Sequence, residues 1–136
     1  MENLNYGVVG NGRTAALISL EGSVDWFCLP DFDSPPVFGR ILDSNIGGTL
    51  GFINYKDYHI KQKYIDHTNV LITTFDSESG CFEVIDFMPR YKINDNTNYF
   101  IPAELYRYIR LKRGHPKIAI NYDPRLNYAN GDIKHK

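Results

Sequence analysis

Asp31 and Asp33 stand two residues apart in the stretch Pro30-Asp31-Phe32-Asp33-Ser34-Pro35-Pro36. A carboxylate pair is the least equipment needed for acid and base work on a glycosidic bond. The two groups must flank that bond at roughly 5–10 Å, with one of them held protonated. On one proline-rich loop, so close in sequence, both carboxylates read more simply as solvated side chains or turn caps. Gly7-Val8-Val9-Gly10-Asn11-Gly12 has the glycine density of a phosphate loop. It lacks the preceding buried strand, the following amphipathic helix and the phosphate-binding lysine, so its glycines read as turn residues. His59, His67, His115 and His135 are scattered, and none pairs four residues apart on a helix. Cys28 and Cys81 lie in strand-like stretches without CxxC spacing and read as small buried hydrophobes. No Gly-x-Ser-x-Gly elbow occurs. The sequence therefore predicts no metal and no cofactor.

Trp26 and its neighbours offer a different chemistry, that of recognition. An indole stacks on the apolar face of a pyranose ring and keeps one N–H for a hydroxyl. Asp25, an acid inside an otherwise apolar strand, must be paired, capped or exposed, and Arg13 or Arg40 would serve as its partner. Pro30, Pro35 and Pro36 restrict the loop that follows, which carries Asp31, Asp33, Ser34 and Arg40. Trp26, Asp33 and Arg40 are thus the candidate sugar-contacting residues. The structural alternative is that Trp26 belongs to the core, Asp33 and Ser34 cap a turn, and Arg40 pairs with Asp25 or Asp43.

The elements that would hold these residues are strands. Val8–Gly12, Thr14–Leu20 and Val24–Leu29 are short β-like runs split by Gly-Asn-Gly and Glu-Gly-Ser turns. Pro30 stops the third, because proline donates nothing to a ladder. Val37–Leu42 reads as one helical turn with Ser34 as its cap. Thr49–Ile53 is a further strand, and Tyr58–Ile65, rich in lysine, is an edge. Asn69–Phe75 and Cys81–Met88 flank a five-residue hairpin loop at 76–80, and the second of them is central because both faces are partly apolar. Residues 89–102 read as a mobile surface loop. Leu105–Lys112 alternates with period two, and Lys117–Tyr122 closes a second hairpin with it. Residues 129–136 form a polar, frayed tail. Strands at this spacing, with no helical period over ten or more residues, predict an all-β antiparallel sandwich over 1–128.

Composition bounds the rest. A chain of 136 residues supports one domain. Its 43% apolar content is ordinary, and ten Tyr and eight Phe supply a core with rings to spare. The formal net charge of −1 calls for no nucleic acid, and no apolar run is long enough for a membrane span. Charge is uneven, however. Arg13 and Arg40 face Glu2, Glu21, Asp25, Asp31, Asp33 and Asp43 in the first 55 residues, while basic residues prevail after 104. No secretory leader is visible at residues 1–10, which predicts a cytoplasmic protein.

Several motifs fall in one order along the chain: Gly-Asn-Gly-Arg-Thr-Ala-Ala-Leu at 10–17, Gly-Ser-Val-Asp-Trp-Phe-Cys-Leu-Pro at 22–30, Phe-Asp-Ser-Pro at 32–35, Phe-Gly-Arg-Ile-Leu-Asp at 38–43 and Gly-Gly at 47–48. Thr73-Thr74-Phe75, Val84–Pro89 and Asn121–Tyr128 continue the series. Together they resemble the N-terminal domain of prokaryotic glucoamylases and trehalases of glycoside hydrolase family 15. The resemblance covers nearly the whole chain. It implies a supersandwich-like fold, truncated at this length, and a partner: a C-terminal (α/α)6 catalytic barrel of the same polypeptide, which holds both catalytic glutamates. The full-length protein would then hydrolyse an α-glucan or trehalose with inversion and no cofactor. This domain would carry no catalytic residue, and its loop 30–40 would reach the sugar pocket with Trp26 behind it. A cut sandwich would also self-associate through open strand edges. Two other readings compete. One is a free-standing carbohydrate-binding module built on Trp26 and surface tyrosines. The other is an oligonucleotide-binding barrel in which Arg107, Arg110 and Lys112 share a groove with Tyr106 and Tyr108.

Overall fold

A computed structural model describes residues 5–94 and 97–128. In chain order the strands are β1 (Tyr6–Gly10), β2 (Ala15–Ser19), β3 (Val24–Cys28), β4 (Pro36–Phe38), β5 (Thr49–Phe52) and β6 (His59–Tyr64). They continue with β7 (Leu71–Ser77), β8 (Gly80–Phe87), β9 (Tyr91–Lys92), β10 (Tyr99–Phe100), β11 (Tyr106–Gly114) and β12 (Ile120–Asp123). Every pairing is antiparallel. The first sheet runs β1-β2-β3-β5-β12, with β4 also on β3, and the second runs β11-β8-β7-β6. The all-β antiparallel sandwich expected from the turn spacing is the observed fold.

The two sheets close on one another through side chains that alternate along each strand. Val9, Ile18, Val24, Phe27 and Phe38 of the first sheet cluster with Leu71 of the second and with Met88 just past the end of β8. At the other end Phe52 packs on Phe75 and Phe82, whose rings stack with centroids 4.7 Å apart. Each such side chain, fully buried, contributes about 1.5–3 kcal/mol. β8 alternates buried and half-buried residues between its neighbours β7 and β11, as a central strand should. β6 sits at the sheet margin, where Lys61 and Lys63 guard the open edge.

Four expectations need correction. The helical turn expected over 37–42 is only half present: Pro36–Phe38 is β4, where Phe38 buries its ring opposite Phe27 and Pro36 takes the opening position, and the turn begins at Gly39, whose carbonyl takes the Leu42 N–H at 3.0 Å and the Asp43 N–H at 3.4 Å. The sole helical element among the described residues is the 3-10 turn Tyr55–Asp57. The 76–80 hairpin loop has two residues, Glu78 and Ser79, because Ser77 pairs with Gly80 and Asp76 with Cys81. Polar side chains on the open side of a ladder had made those positions look like loop. Residues 89–102 contain a hairpin, β9 with β10, in which the Tyr91 and Phe100 rings lie 5.2 Å apart. Finally, 105–122 is no hairpin. The turn at Gly114 and Pro116 sends the chain across the sandwich, so β12 joins β5 of the other sheet, with Ile120 opposite Phe52. The tail at 129–136 lies outside the described residues.

The sequence reading also passed over a residue of β8. Asp86 faces the core with no exposed surface. Arg107 of β11 meets it with both arms of the guanidinium, Nε to Oδ1 at 2.7 Å and Nη2 to Oδ2 at 3.0 Å. Its third nitrogen donates to the Leu50 carbonyl of the opposite sheet at 3.1 Å. This ion pair therefore pins the two sheets together from inside. Burial pushes the Asp86 carboxyl above its ordinary range, and Arg107 pulls it partly back. It also answers the nucleic-acid reading, since Arg107 is withdrawn from the surface that carries Tyr106 and Tyr108.

Candidate functional site

The site forms at an irregularity in β3. Leu17 pairs with Trp26, but the next pair is Ile18 with Val24, so Asp25 is the extra residue of a bulge. A bulge re-aims one side chain without breaking the sheet. Asp25 is only 4% exposed. Its Oδ1 accepts from Ser23 Oγ at 2.6 Å and Thr49 Oγ1 at 2.9 Å, and its Oδ2 from the Tyr6 phenol at 3.0 Å. Arg40 Nη1 stands 3.8 Å away. The Asp25 carbonyl takes the Ile41 N–H at 3.1 Å, which ties the 39–49 turn to the strand. A buried carboxylate holding three donors acts as a strut for its surroundings. The Tyr6 phenol responds to the same environment. Burial, then the charge and hydrogen bond of Asp25, push its pKa up to about 12.

Around this strut the outer side of the first sheet is hollowed into a cavity of about 630 Å³. Ser23, Asp25 and Thr49 lie at its base, and Tyr6, Glu21, Arg40, Tyr55 and Asn121 stand around it. Ile41 and Ile53 add apolar wall. Among the described residues no cluster of three metal-ligating side chains occurs.

The structure sorts the candidate residues. Arg40 joins the Asp25 cavity, so the Asp25–Arg40 pairing anticipated from sequence is present, at ion-pair distance. Arg13, the other candidate partner, instead binds Asp31 through Nε at 2.9 Å. Trp26 is half-buried on β3, opposite Leu17, and does not line the cavity. Asp33 is exposed at the loop tip beside Phe32 and makes no hydrogen bond to a described residue. Ser34 does the capping, its Oγ accepting from the Asp31 N–H at 3.1 Å. Asp31 is thus paired with Arg13, and neither it nor Asp33 lines the Asp25 cavity.

The Gly-Asn-Gly turn is explained by a second cluster. The Asn11 amide donates to the carbonyls of Pro89, at 3.1 Å, and Pro102, at 2.8 Å, and its oxygen accepts the Arg13 N–H at 3.1 Å. Gly12 holds φ +90°, and a Cβ there would stand 3.0 Å from Arg90 Nη1. The turn is a knot between distant segments. Sequence reasoning missed Tyr6, Glu21, Ser23, Thr49 and Asn121 as neighbours of Asp25. Only Ser23 lies near it in the chain, and no local signal marks the others.

Residues 4–136 match the family described as Trehalase-like, N-terminal. The trehalase of Thermoplasma volcanium is 35% identical over 127 residues, which is 91% of this chain and 20% of that protein. Trehalase 2 of Sulfolobus acidocaldarius is 43% identical over 86 residues, 63% of this chain and 14% of its own length. The trehalase of Thermoplasma acidophilum is 33% identical over 116 residues, 83% of this chain and 19% of its own. The chain thus spans about a fifth or less of the relatives it matches. No solved structure matches it.

Proposed function

The chain belongs to the trehalase-like N-terminal domain family, and from this we propose that it serves as the non-catalytic β-sandwich of a larger α-glucoside hydrolase whose substrate is trehalose. The observation that carries this is the match along 4–136 to proteins named trehalases that are about five times longer. The chemistry is assigned to a separate (α/α)6 barrel in the same polypeptide, where two carboxylates and a water invert the anomeric centre. Glucoamylase-like action on an α-glucan is the narrower alternative. The cytoplasm is the proposed compartment, in keeping with two unpaired cysteines. No helix among the described residues is long and apolar enough to cross a membrane.

Within that enzyme the loop 30–40 is proposed to border the sugar pocket, with Asp33 and Arg40 toward substrate and Trp26 behind. Two features support this: Asp33 is exposed with no hydrogen bond to a described residue, and Arg40 stands at the mouth of a polar hollow. The test is kinetic. The full-length polypeptide is expected to release glucose from trehalose, and the 136-residue chain alone to release none. Asp33→Ala and Arg40→Ala in the full-length enzyme should each raise KM or lower kcat by about tenfold, the loss of one hydrogen bond to a charged group. Wild-type kinetics with only a lower melting temperature would make the loop structural.

The isolated chain is further proposed to self-associate. β11 has one open edge and exposes Tyr106, Tyr108 and Leu111. Light scattering that reads a strict monomer at high micromolar concentration excludes this.

A further inference from the structure

We propose that the cavity beside Asp25 is a saccharide-binding site in its own right, holding a neutral mono- or disaccharide through Glu21, Arg40, Tyr55 and Asn121 without help from a catalytic barrel. The choice of ligand class rests on the function proposed above, and the geometry supplies the rest. At about 630 Å³ the hollow lies in the range of small-ligand sites, roughly 300–1,000 Å³.

Its base is complete without a ligand. The Asp25 carboxylate already has Tyr6, Ser23 and Thr49 as donors, and Arg40 stands by its charge at 3.8 Å. Arg40 balances Asp25, which leaves Glu21 as the one uncompensated charge of the lining, at an exposed position where solvent and salt screen it. The surrounding groups are the reverse. The Glu21 carboxylate, the Arg40 guanidinium, the Tyr55 hydroxyl and the Asn121 amide line the hollow, and none makes a side-chain hydrogen bond with a described residue. One of these only accepts, one only donates, and two do both. A polyol matches such a set, because each hydroxyl both donates and accepts. The position of Arg40 is also fixed in advance, since the next residue's N–H is held by the Asp25 carbonyl at 3.1 Å. Binding then costs little ordering of the chain. Asp33 and Trp26 lie off this cavity, and Arg40 alone is shared with the loop proposed to face the barrel, so Glu21, Tyr55 and Asn121 are the residues that set this site apart.

The test titrates trehalose, then glucose and maltose, into the isotope-labelled 136-residue chain and follows its amide resonances. At least one sugar is expected to give saturable shifts at Glu21, Arg40, Tyr55 and Asn121 with a low-millimolar midpoint. Asn121→Ala and Arg40→Gln should each weaken binding about tenfold. Asn69→Ala, in the separate hollow near Asn11, should leave it unchanged. The proposal is overturned by shifts that never saturate, by shifts centred on Phe32 and Asp33, or by a midpoint indifferent to Asn121→Ala in a chain with an otherwise native spectrum. Binding of glycine betaine in preference to every sugar overturns the ligand class. A chain that ignores all three sugars while the full-length polypeptide hydrolyses trehalose sinks this proposal alone.

Discussion

Arg107→Met is expected to destabilise the domain by about 3–5 kcal/mol at pH 7, because it strands a fully buried carboxylate. Methionine keeps much of the volume between the sheets, so the loss is electrostatic more than steric. It removes the bidentate partner of Asp86 and the bond to the Leu50 carbonyl at 3.1 Å together. The loss should depend on pH in a definite direction. The Asp86 carboxyl is harder to ionise inside the fold than outside, since burial outweighs Arg107. A raised carboxyl contributes stability that is full below its unfolded pKa of about 3.9 and declines as pH climbs through the folded value. Without Arg107 that folded value rises further and the decline extends toward neutrality. The difference between variant and parent in urea should therefore be larger at pH 7 than at pH 4. An equal difference at both would mean that Asp86 is already protonated in the parent fold. Asp86→Asn in the Arg107→Met background should recover part of the loss at pH 7 by removing the buried charge.

Gly48→Ala should be nearly as damaging, for reasons of space. Gly48, just before β5, holds φ +70°, a region that costs a non-glycine residue about 1–3 kcal/mol. A Cβ built there stands 2.3 Å from the Asp123 carbonyl oxygen, which is backbone and cannot swing aside. Relief requires β12 to withdraw from β5, where Asp123 pairs with Thr49. The variant is expected to lose several degrees of melting temperature and the sugar-induced shift at Asn121, which rides on β12. A melting curve that overlays the parent would show that β12 is not held at that register.

The strands and the family motifs were legible in the sequence because each depends on neighbours in the chain. Period-two alternation marked β8 and β11, and glycine or proline punctuation marked the ends of β1 to β3. What failed depended on partners far away. Pro36–Phe38 looked helical because prolines suit a helix start, and only Phe27 across the ladder makes it a strand. Lys117–Tyr122 looked like a hairpin arm because its neighbour in sequence is β11, while its hydrogen bonds go to β5. Asp25 was recognisable as an acid in need of partners. Its donors Tyr6 and Thr49 lie 19 and 24 residues away and meet it through a one-residue slip in β3 that no composition rule foretells. Asp86 and Arg107 sat in plain alternation with core residues, and the expectation that charge faces water hid them.

The Asn11 knot sets an order of events during synthesis. The Asn11 amide donates one of its two bonds to a carbonyl 78 residues ahead and the other to one 91 residues ahead. A ribosome adding about 5–20 residues per second needs roughly 5–20 s to deliver the second of these. Through that interval β1 to β3 exist without their final clasp, and until residues 71–88 arrive the apolar side that meets Leu71 and Met88 faces solvent or a chaperone. Slow codons placed between positions 28 and 102 would prolong the exposure, and fast ones would shorten it. Slower translation over that interval is expected to lower the share of newly made chain that reaches the sandwich.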